Sequence, residues 1–305
     1  MLEMIAASGC GAIALPAREG TADAAPAQDA LEVRKVLEGK GCDWLVMDHY
    51  DLDAQWSSQL RSSTRRIMVI DDLANRRHDC DVLLDQNYYR NMEHRYDTLV
   101  PSACRMLLGP RFALLRKQFR DARATLRARD GQVRRMLIFM GGSDSVNATS
   151  KAVRAVRAIG EPVGLDVVIG GTNPHCAQVQ ALCASLPDAR LHVQVENMAA
   201  LMAGADLAIG AGGAATWERC SLGLPALTLV FAQNQLQTTL DLADLGVIRY
   251  LGWVHECTED DMAQAIRAAM QAPQALREMS ARAMALMEGA TSSPFSFAAE
   301  LALTA

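Results

Sequence analysis

The sequence predicts an α/β protein built from two doubly wound, Rossmann-like lobes, the first of them incomplete at its N-terminal end. Three observations carry this expectation. Apolar runs of strand length alternate with helix-length amphipathic stretches from end to end, the pattern of parallel sheets covered on both faces. A charged segment at 122–133, holding Asp130-Gly131, is followed at once by a fresh apolar run, so the pattern restarts as a second lobe. The chain opens on what reads as the end of a helix, where such a lobe normally starts with a buried strand.

Taken in order, residues 1–7 read as that helix end, Gly9 as its stop and 12–15 as a strand already inside the lobe. Residues 18–29 are Ala-rich and polar and read as a surface loop. A helix at 30–38 follows, then strands at 44–47, 67–70, 82–84 and 106–108, and a helix at 113–128. The second lobe has candidate strands at 136–140, 165–169, 191–195, 207–209, 226–230 and 247–250, with helices at 148–158, 176–186 and 235–245 among them. The domains are therefore expected at 1–130 and 131–305, with a ligand cleft between them. For the opening, two readings stand: a small lobe that begins with a helix, or a lobe that has lost a strand, a loop and part of a helix.

Composition narrows the function. A chain of 305 residues with 50% hydrophobic content can bury one large core or two ordinary ones. A net charge of -5 argues against a nucleic-acid surface, but a phosphorylated ligand can still be held by backbone N–H groups at a helix N-terminus. The eight cysteines are scattered without a C-x-x-C pair, so they read as small core residues and not as a disulfide framework or zinc site. No apolar run is long enough for a membrane helix, no signal-peptide pattern opens the chain, and the cytoplasm is the expected compartment. His78, His94, His175, His192 and His255 lack partners at metal-ligand spacing and read as surface or loop residues, so neither metal nor cofactor is expected.

The most informative stretch runs from Leu207 to Val230. A strand leads into Gly210-Ala211-Gly212-Gly213-Ala214-Ala215-Thr216, and a helix beginning Trp217-Glu218-Arg219-Cys220 follows. Glycines at a strand's carboxyl end let the backbone approach a ligand, and the helix start suits a phosphate or diphosphate. Glu218 is placed to accept hydrogen bonds from ribose hydroxyls, or else is simply a favourable first-turn acid. Gly141-Gly142-Ser143-Asp144-Ser145-Val146-Asn147 is a second loop of this kind; Asn147 is either an N-cap or part of the same ligand edge. Asn234 and Gln235 follow the strand at 226–230, where their amides could meet sugar hydroxyl or acetamido groups.

In the first lobe Asp48-His49-Tyr50 ends a strand at the edge where α/β folds place ligands, and a His beside an Asp and a Tyr can act as acid, base or orienter. The alternative is an Asp capping the next turn with Tyr50 packed beneath it. Asp71-Asp72 and Asp85-Gln86-Asn87 also follow strands, the Asp71 pair reading as turn residues. Arg111 and Arg116 fit hinge packing or a substrate salt bridge equally.

Together these segments, with Leu108-Gly109-Pro110-Arg111-Phe112-Ala113-Leu114-Leu115-Arg116 and Asn147-Ala148-Thr149, resemble the UDP-sugar hydrolases of pseudaminic-acid biosynthesis, over nearly the whole chain and in order. That family is related to the bacterial glycosyltransferase of lipid II synthesis and shares its GT-B fold. The resemblance implies a metal-independent hydrolase acting on a UDP-linked diacetamido-trideoxy-altrose: water attacks the anomeric carbon and UDP leaves. It implies UDP on the second lobe, the loop Gly212–Thr216 near the diphosphate, Glu218 at the ribose, and Tyr50 and Asn234 near the sugar. Two departures follow. The family's opening Gly-x-Gly-His-x-x-Arg loop, whose His is the proposed general base, is absent, which should slow proton removal roughly a hundredfold or more. Ala214 and Ala215 stand where hydroxyl residues are usual, so contacts there must come from the backbone. A UDP-sugar glycosyltransferase and a non-catalytic nucleotide-sugar-binding remnant are the alternatives.

Overall fold

A computed structural model describes residues 5, 9–15 and 25–288. They fall into two compact units, Met1–Asp85 with Glu93–Leu107, and Gln86–Met92 with Leu108–Ala305.

The first unit holds a four-stranded sheet in the order β1 (Cys42–Asp48), β2 (Thr64–Ile70), β3 (Val82–Asp85), β4 (Arg105–Leu108). β1 pairs with β2 and β2 with β3 in parallel. Ile67, Met68 and Val69 are all inaccessible, which is why β2 can be an unbroken apolar run: both of its faces are covered. β1, at the edge, leaves Val46 exposed. Helix α1 (Ala25–Leu37) and helix α2 (Ala54–Leu60) belong to this unit. Asp53 caps α2 by accepting from the N–H groups of Gln55 and Trp56, and Trp56 Nε1 donates to Asp29 Oδ2 at 2.9 Å.

Two expectations are corrected here. Residues 12–15 form no strand; they are exposed and pair with nothing in the sheet. The expected surface loop at 18–29 becomes helical from Ala25, because Pro26 sits in the first turn of α1, where its missing N–H leaves no bond broken. The helix expected at 1–7 lies outside the described residues except for Ile5, which is helical.

The second unit is a six-stranded parallel sheet in the order β10-β9-β8-β5-β6-β7, where β5 is Arg135–Phe139, β6 Gly164–Ile169, β7 Ala189–Val193, β8 Leu207–Ala211, β9 Ala226–Val230 and β10 Arg249–Trp253. Counted along the chain within this sheet the order is 3-2-1-4-5-6, the doubly wound arrangement, with its topological switch between β5 and β8. Alternate residues feed two cores. Met136 and Ile138 pack with Val153 of helix α4 (Ala148–Ile159) and Ile266 of helix α9 (Glu259–Met270) on one face. Leu137 packs on the other with Phe119 of helix α3 (Lys117–Ala124), Met202 of helix α6 (Met198–Gly204), Trp217 of helix α7 (Ala215–Ser221) and Leu242 of helix α8 (Gln233–Asp244). Helix α5 (Cys176–Ala184) precedes β7, and helix α10 (Pro273–Leu286) ends the described chain.

The break between units falls at Leu107/Leu108, earlier than the charged stretch at 122–133 suggests. Phe119 is wholly buried in the second core, and two arginines of that stretch cap helices. Arg123 donates to the Ser221 carbonyl, and Arg129 to the carbonyls of Met202, Ala205 and Leu222, the carboxyl ends of α6 and α7. A linker and a set of capping arginines have the same composition.

Candidate functional site

Both glycine loops of the second unit sit at the switch point, because the strands they follow are neighbours: β5 and β8 pair in parallel, with Phe139 opposite Gly210. The structure therefore brings together two segments that stand about 70 residues apart in the sequence.

They differ in what their backbones offer. In the first loop Asp144 is buried, and its carboxylate accepts from the N–H groups of Ala148 at 2.9 Å and Thr149 at 2.8 Å. That is the start of α4, so an anion arriving there would meet a carboxylate already in place. Asn147 is not the cap: its backbone is left-handed (φ 57°), its side chain makes no capping bond, and its Nδ2 donates to Gln178 Oε1. Its Oδ1 is buried without a partner. Gly142 is exposed, and its carbonyl takes the Gly170 N–H at the end of β6.

The second loop is open to an anion. Gly212 N–H donates to Leu229 O, fixing the strand end, and Gly213 turns the chain at φ +96°. The first bonds of α7 are Thr216 N–H to Gly213 O and Trp217 N–H to Ala214 O, so the amides of Ala214 and Ala215 precede them. Ala214 is exposed and Ala215 partly so, which leaves those amides unscreened by side-chain bulk. The start of α8 has no side-chain cap. Gln235, in its first turn, takes the Phe231 N–H on Oε1 and lies over the loop, its Nε2 3.6 Å from where a Cβ on Gly213 would stand. Asn234 beside it is partly exposed.

Glu218 lies in the first turn of α7, partly exposed, with Oε1 held by Arg116 Nη2 at 2.9 Å. Oε2 stays available as an acceptor in a fixed orientation. Thr216 differs from the sequence expectation in one respect: its hydroxyl is buried and accepts from Arg219, so it faces the protein interior. Arg219 itself, overlooked in the sequence, is the one charged group among the largest fully buried side chains of the described residues. Trp217 Nε1 donates to Asn87 Oδ1, and Gln86 Oε1 accepts from Leu114 N–H, so these two residues serve packing in the second unit.

In the first unit Asp48 ends β1, His49 and Tyr50 follow it, and all three are exposed, Tyr50 by 54%, so Tyr50 is not packed beneath a turn. His49 Nδ1 accepts from Asp51 N–H at 3.1 Å, which leaves Nε2 carrying the proton of the neutral ring. Asp71 does hold a turn, accepting from Ala74 N–H at 2.9 Å, but it is also buried among charges. Arg76 pairs with it at 2.8 Å, Tyr96 O–H donates to it at 3.0 Å, and His78 Nε2 lies 3.7 Å away. His78 is thus buried and not a surface residue. Among the described residues no group of three or more His, Cys, Asp or Glu side chains is arranged to hold a metal ion, and no helix is long and apolar enough to cross a membrane.

A doubly wound six-stranded sheet with two glycine loops at its switch point, in one chain with a second parallel-sheet unit, defines an α/β protein of the GT-B fold. The model of the glycosyltransferase family 28 C-terminal domain matches residues 136–293, just over half of the chain, and the chain belongs to this family. Among curated relatives, the spore coat polysaccharide biosynthesis protein SpsG of Bacillus subtilis is 25% identical over 223 residues, 72% of this chain. The match spans 65% of SpsG, a little under two thirds of its length. The UDP-2,4-diacetamido-2,4,6-trideoxy-beta-L-altropyranose hydrolase of Campylobacter jejuni is 24% identical over 216 residues, 70% of this chain and 76% of that one. Among solved structures, Acinetobacter baumannii MurG superposes with a TM-score of 0.65 at 15% identity, covering 99% of this chain and 86% of MurG. The S. aureus MnaA–UDP co-structure gives 0.62 at 12%, covering 98% and 85%.

Proposed function

We propose that the second unit binds a UDP-sugar and that the chain is a hydrolase releasing UDP from a UDP-linked diacetamido-trideoxy-altrose. The observation that carries the nucleotide reading is the loop 210–216 at the switch point, with open amides at Ala214 and Ala215 and an oriented Glu218 one turn on. The diphosphate lies on Gly212, Gly213, Ala214 and Ala215, and the fixed N–H groups of Ala214 and Ala215 stabilise the charge that develops as UDP departs. Glu218 takes the ribose hydroxyls on Oε2. Asn234 reads the sugar, Gln235 keeps the loop in shape, and Gly142 and Asn147 form the opposite rim. Asp48, His49 and Tyr50 are the first unit's contribution. With Nδ1 engaged by Asp51, His49 has Nε2 left to act as a hydrogen-bond donor.

The choice of hydrolysis draws on the Campylobacter jejuni relative. The family to which the chain belongs supports transfer to an acceptor as the second reading. Incubating the chain with the UDP-sugar and following UDP release decides between them. Release without an acceptor supports hydrolysis, and release only with an added acceptor replaces it by transfer. Calorimetry with UDP alone tests the pocket: binding that is lost in Glu218→Ala is expected, and no heat from the unaltered chain overturns the nucleotide reading.

A further inference from the structure

Arg219 is 1% exposed, and among the described residues no carboxylate pairs with it. Its neighbour Glu218 is committed to Arg116. All the contacts of its head group are to the loop above it. One Nη donates to the Ala211 carbonyl at 2.8 Å and to the Thr216 hydroxyl at 3.0 Å. The other stands 2.8 Å from where a side chain on Gly210 would begin, so residue 210 must be glycine for the guanidinium to lie there. Its Nε is buried with no partner. Burial pulls its pKa down, the direction expected of a cation lacking a counter-charge.

A neutral donor would serve to hold Ala211 and Thr216. A full cation inside the protein, without an anion, carries a desolvation cost that such bonds do not repay. The cost is offset when the counter-charge arrives from outside. We propose that Arg219 is the buried positioning cation for the diphosphate: it holds loop 210–216 from beneath and presents its charge, across one thickness of backbone, to an anion on the outer face. The inference rests on the nucleotide reading above. At the effective dielectric of about 20 suited to such sites, a unit charge at that separation changes the affinity for a phosphate by about ten- to a hundredfold.

The test is a calorimetric series of uridine, UMP and UDP on the unaltered chain, Arg219→Met and Arg219→Lys. The expected result is a loss of about ten- to a hundredfold for UDP in Arg219→Met, a smaller loss for UMP and none for uridine, with Arg219→Lys within a few-fold of the unaltered chain. A merely structural role would weaken all three ligands together. If Arg219→Met keeps the UDP-to-uridine ratio, the assignment of Arg219 falls and the nucleotide reading stands. If the unaltered chain binds no UDP, both fall. Should Arg219→Met not fold, Arg219→Gln takes its place: its amide keeps a donor beneath the loop while the charge is removed. A several-fold loss for UDP with uridine unchanged supports the proposal, and equal effects on the two overturn it.

Discussion

Gly141 and Gly213 are matched probes of the two loops. Both hold positive φ, +95° and +96°, and a Cβ on either would meet nothing closer than Gln235 Nε2 at 3.6 Å. Alanine at either position therefore pays mainly in backbone conformation, about 1–3 kcal/mol. The ligand effects should differ. Gly213→Ala re-aims the amides of Ala214 and Ala215 and should lower UDP affinity about tenfold or more, the loss of one or two charge-assisted hydrogen bonds. Gly141→Ala should lose the same stability, read by urea unfolding, and leave UDP affinity within a few-fold. Equal losses of affinity would move the diphosphate away from loop 210–216. The place of the glycine loops and of Glu218 at strand-to-helix junctions was legible in the sequence, because glycines that end an apolar run mark where a strand gives way to a helix. Arg219 was not, since a basic residue in the last turn of a helix ordinarily reads as solvated. The signal that could have found it is the i, i+3 spacing of Thr216 and Arg219, which shares a face on a short helix flanked by apolar strands.

Among the elements, α4 shows how a cap can be misread. The sequence offers Asn147 immediately before the helix, and propensity favours it. The left-handed turns at Asp144 (φ 37°) and Asn147 (φ 57°) instead fold the loop back, so that Asp144 reaches two first-turn amides while Asn147 turns to Gln178. Asp144→Ala should lower stability by about 1–3 kcal/mol, because two N–H groups at a buried helix start lose a charged acceptor. Asn147→Ala should cost no more than about 1–2 kcal/mol, the conformational penalty of its left-handed backbone. Chemical denaturation of the two variants checks the order, and a larger loss at Asn147 would restore it as the cap. Strand positions were legible to within a few residues since a run buried on both faces is mostly apolar, with a rare buried polar residue such as Asp166 in β6. Residues 12–15 show the limit of that rule: an apolar run becomes a strand only if a neighbouring strand accepts its backbone bonds.

At the scale of the whole molecule, acid and alkali should act on the buried ionic cluster of the first unit. Burial alone would raise the pKa of Asp71, but the His78 ring, the Ala74 N–H and the Arg76 guanidinium outweigh it and hold the carboxyl well below its usual range. A folded pKa below the unfolded value of 3.8 means that Asp71 contributes stability above that pH and loses it as the pH falls further. Each pH unit within that window removes up to about 1.4 kcal/mol. Tyr96 supplies the opposite limb. Burial, then the nearby charges of Asp85 and Asp71, raise its pKa above the ordinary 10.0, so the unfolded chain gives up this proton first and stability falls as the pH rises past that value. Its hydroxyl donates to both carboxylates, at 3.0 Å to Asp71 and 3.2 Å to Asp85, while Arg95 pairs with Asp85. None of this was legible locally, because the six side chains, Asp71, Arg76, His78, Asp85, Arg95 and Tyr96, are spread over 26 positions and meet only when β2 and β3 pair. The check is the urea midpoint followed from pH 2 to pH 11 on the unaltered chain, Asp71→Asn and Tyr96→Phe. Asp71→Asn should be less stable at pH 7 and show a shallower decline below about pH 4, while Tyr96→Phe should flatten the decline above about pH 10. Parallel profiles in all three proteins would place the titrating groups elsewhere and leave the cluster a packing device with no pH signature.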